Sequence, residues 1–342
     1  MGLILSRDAD TRSIKKAQRC IDDAEQMILK NELERAKGEI RRANESLTGC
    51  PVSEANADEM SDAYVRLAED MLHCNMNEEA LQAADRAVQI NPDDLDANMT
   101  KARILTMVGH GSEAMSMLNN LLLTNPDKKQ LWMLRAVVAE RENDEVVALD
   151  SYKKAVSVDP LDLKLYDLII SKDVEKTGWM RRKAELLLRL GKPNEAIKEL
   201  DRSLALDPSD TTALLLRAEA SIKVNDIPKA QQAYDTVLAI DPRNKVALTA
   251  RARHVAHQGN VSEALRYYKD LLRADPSDVI AWNEVASLLL VANRYEESNM
   301  AYDRALTIDP NNRDAMDGKA KVLEAMGHGP EADSLHQRLA LQ

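Results

Sequence analysis

The sequence predicts an all-α protein, a solenoid of about nine helix-turn-helix hairpins, on three series of residues in register. Nine alanines, Ala24, Ala68, Ala102, Ala136, Ala184, Ala218, Ala252, Ala286 and Ala320, mostly recur every 34 residues, with two gaps longer by 10 and 14. Twelve places after each comes another small residue: Ala36, Ala80, Ala114, Ala148, Ala196, Ala230, Ala264, Ser298 and Ala332. Between them, seven places after the first series, stands Asn or Gly: Asn31, Asn75, Gly109, Asn143, Gly191, Asn225, Gly259, Asn293 and Gly327. Self-similarity at this period is the mark of stacked helical hairpins.

Numbering each repeat from 1 at residues 17, 61, 95, 129, 177, 211, 245, 279 and 313 puts the small residues at positions 8 and 20. Two helices approach closely only where both carry small side chains. Position 8 therefore belongs to a first helix, A, position 20 to a second, B, and the two meet at their crossing. Asn or Gly at position 15 tolerates the left-handed conformation that ends helix A. Pro193, Pro228 and Pro330 fall in the first turn of helix B, where a missing N–H costs little. Seven prolines at position 32, Pro92, Pro126, Pro160, Pro208, Pro242, Pro276 and Pro310, stop helix B. Larger residues fill the gaps, with Tyr64, Trp132, Leu214, Leu248 and Trp282 at position 4 and Tyr152, Tyr234, Tyr268 and Tyr302 at position 24.

This frame divides the chain into a segment 1–16, a degenerate first repeat 17–50, a polar spacer 51–60, repeats two to four over 61–162, an inserted helical segment 163–176, and repeats five to nine over 177–342. The insertion carries an apolar cluster, Leu163, Leu165, Tyr166, Leu168 and Ile169, and reads either as a neutral insertion or as a joint between halves.

The residues at positions 4, 8, 11, 20, 24, 27 and 32 resemble the tetratricopeptide repeat over nearly the whole chain. The resemblance implies a right-handed superhelical solenoid that binds other proteins. Position 7 departs from the family's apolar habit: Lys101, Arg135, Lys183, Arg217, Arg251 and Lys319 read as stems that cover the hairpin and keep their charge in water. The chaperone-binding subclass carries Lys at 5 with Asn at 9, a pair that no repeat here has. The subclass that reads a peroxisomal signal uses several groove asparagines, of which only Asn283 corresponds.

The formal net charge of −11 argues against nucleic acid or an anionic membrane as the bulk partner. Cys20, Cys50 and Cys74 have no metal or redox spacing, so a reduced, cytoplasmic setting is expected. The opening residues from Met1 to Ser6 fit a loose N-myristoylation pattern and equally a chance match. No phosphate loop, nucleophile elbow or zinc-ligand pair is present, and His254 with His257 lacks a third ligand, so neither catalysis nor a cofactor or metal is expected.

Function is expected in the groove that the resemblance assigns to helix A, at positions 2, 5, 9, 12 and 13. Met99, Arg103, Met107 and Met133 form an adaptable apolar zone. Arg181, Glu185, Arg189, Glu219, Lys223, Arg253, His257 and Asn283 form a more cationic one, suited to an acidic peptide of a partner protein. The alternative is a scaffold that builds homo-oligomers through Leu339, Leu341 and the 163–176 cluster.

Overall fold

The computed structural model describes residues 2–340, with side chains from residue 11 onward. Among the described residues there are nineteen α-helices and no strand. The chain forms an all-α helical repeat array and splits into two compact units, residues 1–174 and 175–342.

Unit one holds α1 (Gly2–Leu29), α2 (Leu33–Thr48), α3 (Ala57–His73), α4 (Asn77–Ile90), α5 (Leu95–Met107), α6 (Gly111–Thr124), α7 (Lys129–Arg141), α8 (Glu145–Val158) and α9 (Leu163–Lys172). Unit two holds α10 (Lys176–Arg189), α11 (Pro193–Leu206), α12 (Thr211–Lys223), α13 (Ile227–Ile240) and α14 (Lys245–His257). It continues with α15 (Val261–Ala274), α16 (Val279–Val291), α17 (Tyr295–Ile308), α18 (Arg313–Ala325) and α19 (Gly329–Ala340). Within each unit a helix A packs mainly on its own helix B, and that helix B on the next helix A.

The hairpins are built from the three residue series. All nine alanines at position 8 are fully buried. The meeting of positions 8 and 20 is direct in the eighth repeat, where the Ser298 hydroxyl donates to the Ala286 carbonyl at 2.7 Å. All nine Asn or Gly residues at position 15 have φ between 57° and 90°. Each is followed by a backbone bond that closes helix A, such as Lys192 N–H to Leu187 O at 2.9 Å and Asp226 N–H to Ser221 O at 2.8 Å.

The turn from helix B to the next helix A uses more than its proline. Asp207, Asp241, Asp275 and Asp309, each just before that proline, accept the N–H two residues on at 3.0–3.2 Å. Asp210, Asn244, Asp278 and Asn312 then cap the new helix by accepting an N–H of its first turn. Where position 4 is Trp, its indole also donates back to the proline carbonyl, Trp132 to Pro126 at 2.8 Å and Trp282 to Pro276 at 3.0 Å.

The segment 163–176 has this same entry. Asp162 caps α9, and the Tyr166 hydroxyl donates to Pro160 O at 3.2 Å. Leu163 is 34 residues beyond Lys129, so α9 is a helix A in register whose helix B is missing. Its cluster is mostly core: Leu165, Tyr166 and Ile169 are buried.

The segment 1–16 and the start of the first repeat share one helix, since α1 runs unbroken from Gly2 to Leu29 with no internal Gly or Pro. Within the spacer, residues 57–60 are the first turn of α3. The side chains of the Met1–Ser6 pattern, and Leu341 of the proposed oligomer contact, lie outside the described residues.

The position 7 cations are not free heads in water. Lys101, Arg217, Arg251 and Lys319 reach sixteen residues back to an aspartate at position 25 of the preceding helix B: Asp85, Asp201, Asp235 and Asp303, at 2.5–2.9 Å. Arg135 makes the same reach to the Asn119 amide oxygen at 2.8 Å. Their side chains keep only 16–22% exposure, so the stems do cover the junction; the charge is held by the neighbouring repeat in the four aspartate pairs and by Asp150 of its own hairpin, at 3.4 Å, for Arg135. Lys183 pairs with Glu199 in its own hairpin at 3.0 Å.

Candidate functional site

The helix A faces expected to bind a partner differ between the two units. In unit one, Met99 is half-buried against the cluster formed by Ala102, Leu105, Leu118 and Leu131, so it fills core. Met133 is half-buried as well. Met107 is 47% exposed and Val137 39%, and these two carry what apolar surface the face offers. Arg103 is exposed, and its guanidinium donates to Glu69 of the preceding helix A at 2.6 Å.

In unit two most of the expected cations already hold carboxylates. Arg181 pairs with Asp210 at 2.5 Å, and Lys223 sits 3.5 Å from Glu219 one turn away on α12. Arg253 donates through Nε and Nη2 to a single oxygen of Glu284, at 3.1 and 2.8 Å. The Glu284 bond holds the Arg253 pKa above its usual value. Arg189 is exposed and makes no ion pair among the described residues, and Glu185 on the preceding turn is half-buried. The cationic zone is thus largely neutralised from within. At position 9, Arg103 and Arg253 each find an acid on an adjacent helix A, which adjacency in space decides and linear spacing does not reveal.

Asn283 Nδ2 donates to Asn312 Oδ1 at 3.0 Å, and its own Oδ1 is buried without a partner. His257 is exposed at the end of α14, while His254 bonds Gln258 at 3.1 Å. No group of three metal-ligating side chains occurs among the described residues.

One feature of this face was not singled out from sequence. Val246 is 57% exposed, Ile280 66% and Val291 74%. Val246 and Ile280 occupy position 2, where Asp62, Asp96 and Asp314 stand in other repeats, and that contrast is the signal that could have found them. An open recess of about 360 Å³ lies over α14, lined by Lys245, Val246, Thr249, Ala250 and Arg253. It sets the exposed Val246 beside two cations.

Comparison with known proteins agrees with the fold. Family models described as tetratricopeptide repeat match residues 71–138, 187–254 and 249–313. A curated relative, "DnaJ homolog subfamily C member 7 homolog" of Schizosaccharomyces pombe, is 26% identical over 153 residues, 44% of this chain. The match spans about a third, 32%, of that relative's length. Solved structures to which this chain is similar include "MamA 41-end from Desulfovibrio magneticus RS-1" and "MamA AMB-1 P212121". They are 19% identical, with TM-scores of 0.45 and 0.43, and cover 48% and 49% of this chain and 94% and 92% of their own. Among the described residues no helix is long and apolar enough to cross a membrane.

Proposed function

Since the chain belongs to the tetratricopeptide repeat family, we propose that it is a non-catalytic protein-interaction scaffold whose unit two seats a partner segment on the helix A faces of α14 and α16. The observation that carries this reading is the exposure of Val246, in the recess over α14, and of Ile280 at the equivalent position of α16. Two large aliphatic side chains more than half exposed lose free energy to water unless something covers them. Arg253 and Lys245 line the recess with Val246, so the segment carries acidic as well as apolar residues. An incoming carboxylate competes with Glu284 for Arg253 and with Asp275 for Lys245. Apolar burial therefore supplies most of the affinity, and charge supplies selectivity. A preformed array contributes by losing little ordering entropy when it binds.

The reading is tested by capture from a cell lysate with wild type beside a Val246→Asp/Ile280→Asp variant, matched for helicity by circular dichroism. Partners held by wild type and lost by the variant support this site. Identical partner sets from both proteins remove it.

A further inference from the structure

We infer that the junction between α15 and α16 is a second docking surface, one that takes an amphipathic partner helix bearing a carboxylate beside a large apolar side chain. It lies away from the face considered above. At 100° per residue, position 7 is on the opposite side of helix A from positions 2, 5 and 9.

The junctions between hairpins carry a ladder of paired charges. At junction after junction a cation at position 7 meets an acid or amide at position 25 of the preceding helix B, as Arg217 meets Asp201 and Lys319 meets Asp303. At the α15–α16 junction both partners are changed. Position 7 is Val285 and position 25 is Lys269. The lysine is exposed and makes no ion pair among the described residues.

The consequence is a gap in the surface. With neither a cation at position 7 nor an acid at position 25, this junction opens into a recess of about 300 Å³ with Leu265, Leu272, Trp282 and Val285 in its walls and Lys269 and Arg273 beside them. Arg273 is held by Asp270 at 3.0 Å, which leaves Lys269 as the uncompensated charge.

Unit one shows what a lysine at this position takes. At the α8–α9 junction position 25 is Lys153, and position 7 of the incomplete repeat is Ile169, the same lysine and aliphatic combination. There a carboxylate closes the site, for Lys153 pairs with Asp173 at 2.7 Å. The residue equivalent to Asp173 at the α15–α16 junction is Leu289, which is buried in the core and brings no charge. The acid that completes this junction is absent from the chain's own register, so it comes from the partner, together with an apolar side chain to fill the walls.

The test uses the full-length protein with 15N-labelled tryptophan. The probe is a short amphipathic helix of Leu, Ala and Glu, and the control peptide carries Gln for Glu. The indole N–H of Trp282, assigned through Trp282→Phe, reports on the recess. The glutamate peptide is expected to shift this signal and to bind about threefold to fivefold tighter than the control, the range of a partly exposed ion pair. A Lys269→Asp/Val285→Arg variant rebuilds the pair seen at Asp201 and Arg217; it is expected to fold normally and to lose the shift. Lys269→Glu is expected to abolish the preference for the glutamate peptide. Equal binding of the two peptides overturns the carboxylate assignment. An unmoved Trp282 signal, or an undiminished shift in the rebuilt variant, overturns the site itself. Self-association of wild type that the rebuilt variant abolishes assigns the surface to a second copy and overturns a partner helix.

Discussion

Arg217 reaches from α12 to Asp201 on α11, and its Nε lies 2.5 Å from the carboxylate. The arginine is 20% exposed and the aspartate 50%, so the pair is only partly screened by water. It ties one hairpin to the next, and in a repeat array that interface is what makes unfolding cooperative. A double-mutant cycle with Arg217→Met and Asp201→Asn is expected to give a coupling of about 0.5–1 kcal/mol in urea unfolding. Arg217→Ala costs more than Arg217→Met, because it also strips the stem that covers the junction. Equal losses from Met and Ala would show that the stem contributes nothing.

The left-handed residues give a sharper contrast. Asn225 has φ 61° and Gly191 φ 71°. Gly191→Ala places a Cβ in a conformation that costs about 1–2 kcal/mol. Asn225→Gly relieves a smaller strain in the folded state and is expected to be neutral to mildly stabilising, while Asn225→Ala loses about 1 kcal/mol. Thermal melts of the three variants check the order. An Asn225→Ala protein as stable as Asn225→Gly would contradict the backbone assignment.

The fold was legible because each of its joints requires a particular backbone or size. Ala24 and its equivalents must be small where helices cross, and Asn31 and its equivalents must accept positive φ. Both demands are local and repeat with the period. The incomplete repeat at α9 was only half legible. Asp162, Tyr166 and the 34-residue offset from Lys129 mark a helix A, but Ile170 stands at position 8, where an alanine would otherwise announce a crossing. With no helix B to meet, nothing requires a small residue there. The candidate site was the least legible part. Arg253 and Arg181 look like free cations in one dimension, and their partners Glu284 and Asp210 come near only when consecutive helices A stack.

Two glycines in helices predict opposite responses to the same substitution. Gly318 lies in α18 with the ring of Tyr302 directly over it, and an added Cβ would overlap that buried ring. Gly318→Ala is expected to cost about 1–3 kcal/mol, since the ring must leave its packed position. Gly38 lies in the middle of α2 with nothing near its missing Cβ. Gly38→Ala is expected to stabilise by about 0.5–1 kcal/mol through helix propensity. Chemical denaturation of both variants decides the matter, and a stabilised Gly318→Ala protein would mean that Tyr302 is not fixed as described.

Asp70 on α3 makes the stability of unit one depend on pH. It stands at position 10, where the following repeats carry Ile104, Val138 and Leu186, and it is 4% exposed with one carboxylate oxygen unpartnered. Burial is the main cause that lifts its pKa from 3.8 to about 7; Glu25 and Glu69 add to the rise and Arg66 opposes it. Below about pH 4 the carboxyl is protonated in both folded and unfolded chains. From there to about 7 the folded protein retains a proton that the unfolded chain has released. The stabilisation is therefore full in acid and is lost as pH rises through that window, on the order of 4 kcal/mol in all. Asp70→Asn is expected to flatten this part of the profile, and Asp70→Leu to raise stability at neutral pH toward that of an apolar position. Urea unfolding of the three proteins at several pH values across the window measures the effect. A wild type whose stability rises between pH 4 and 7 in parallel with Asp70→Asn would show that Asp70 is ionised in the folded state.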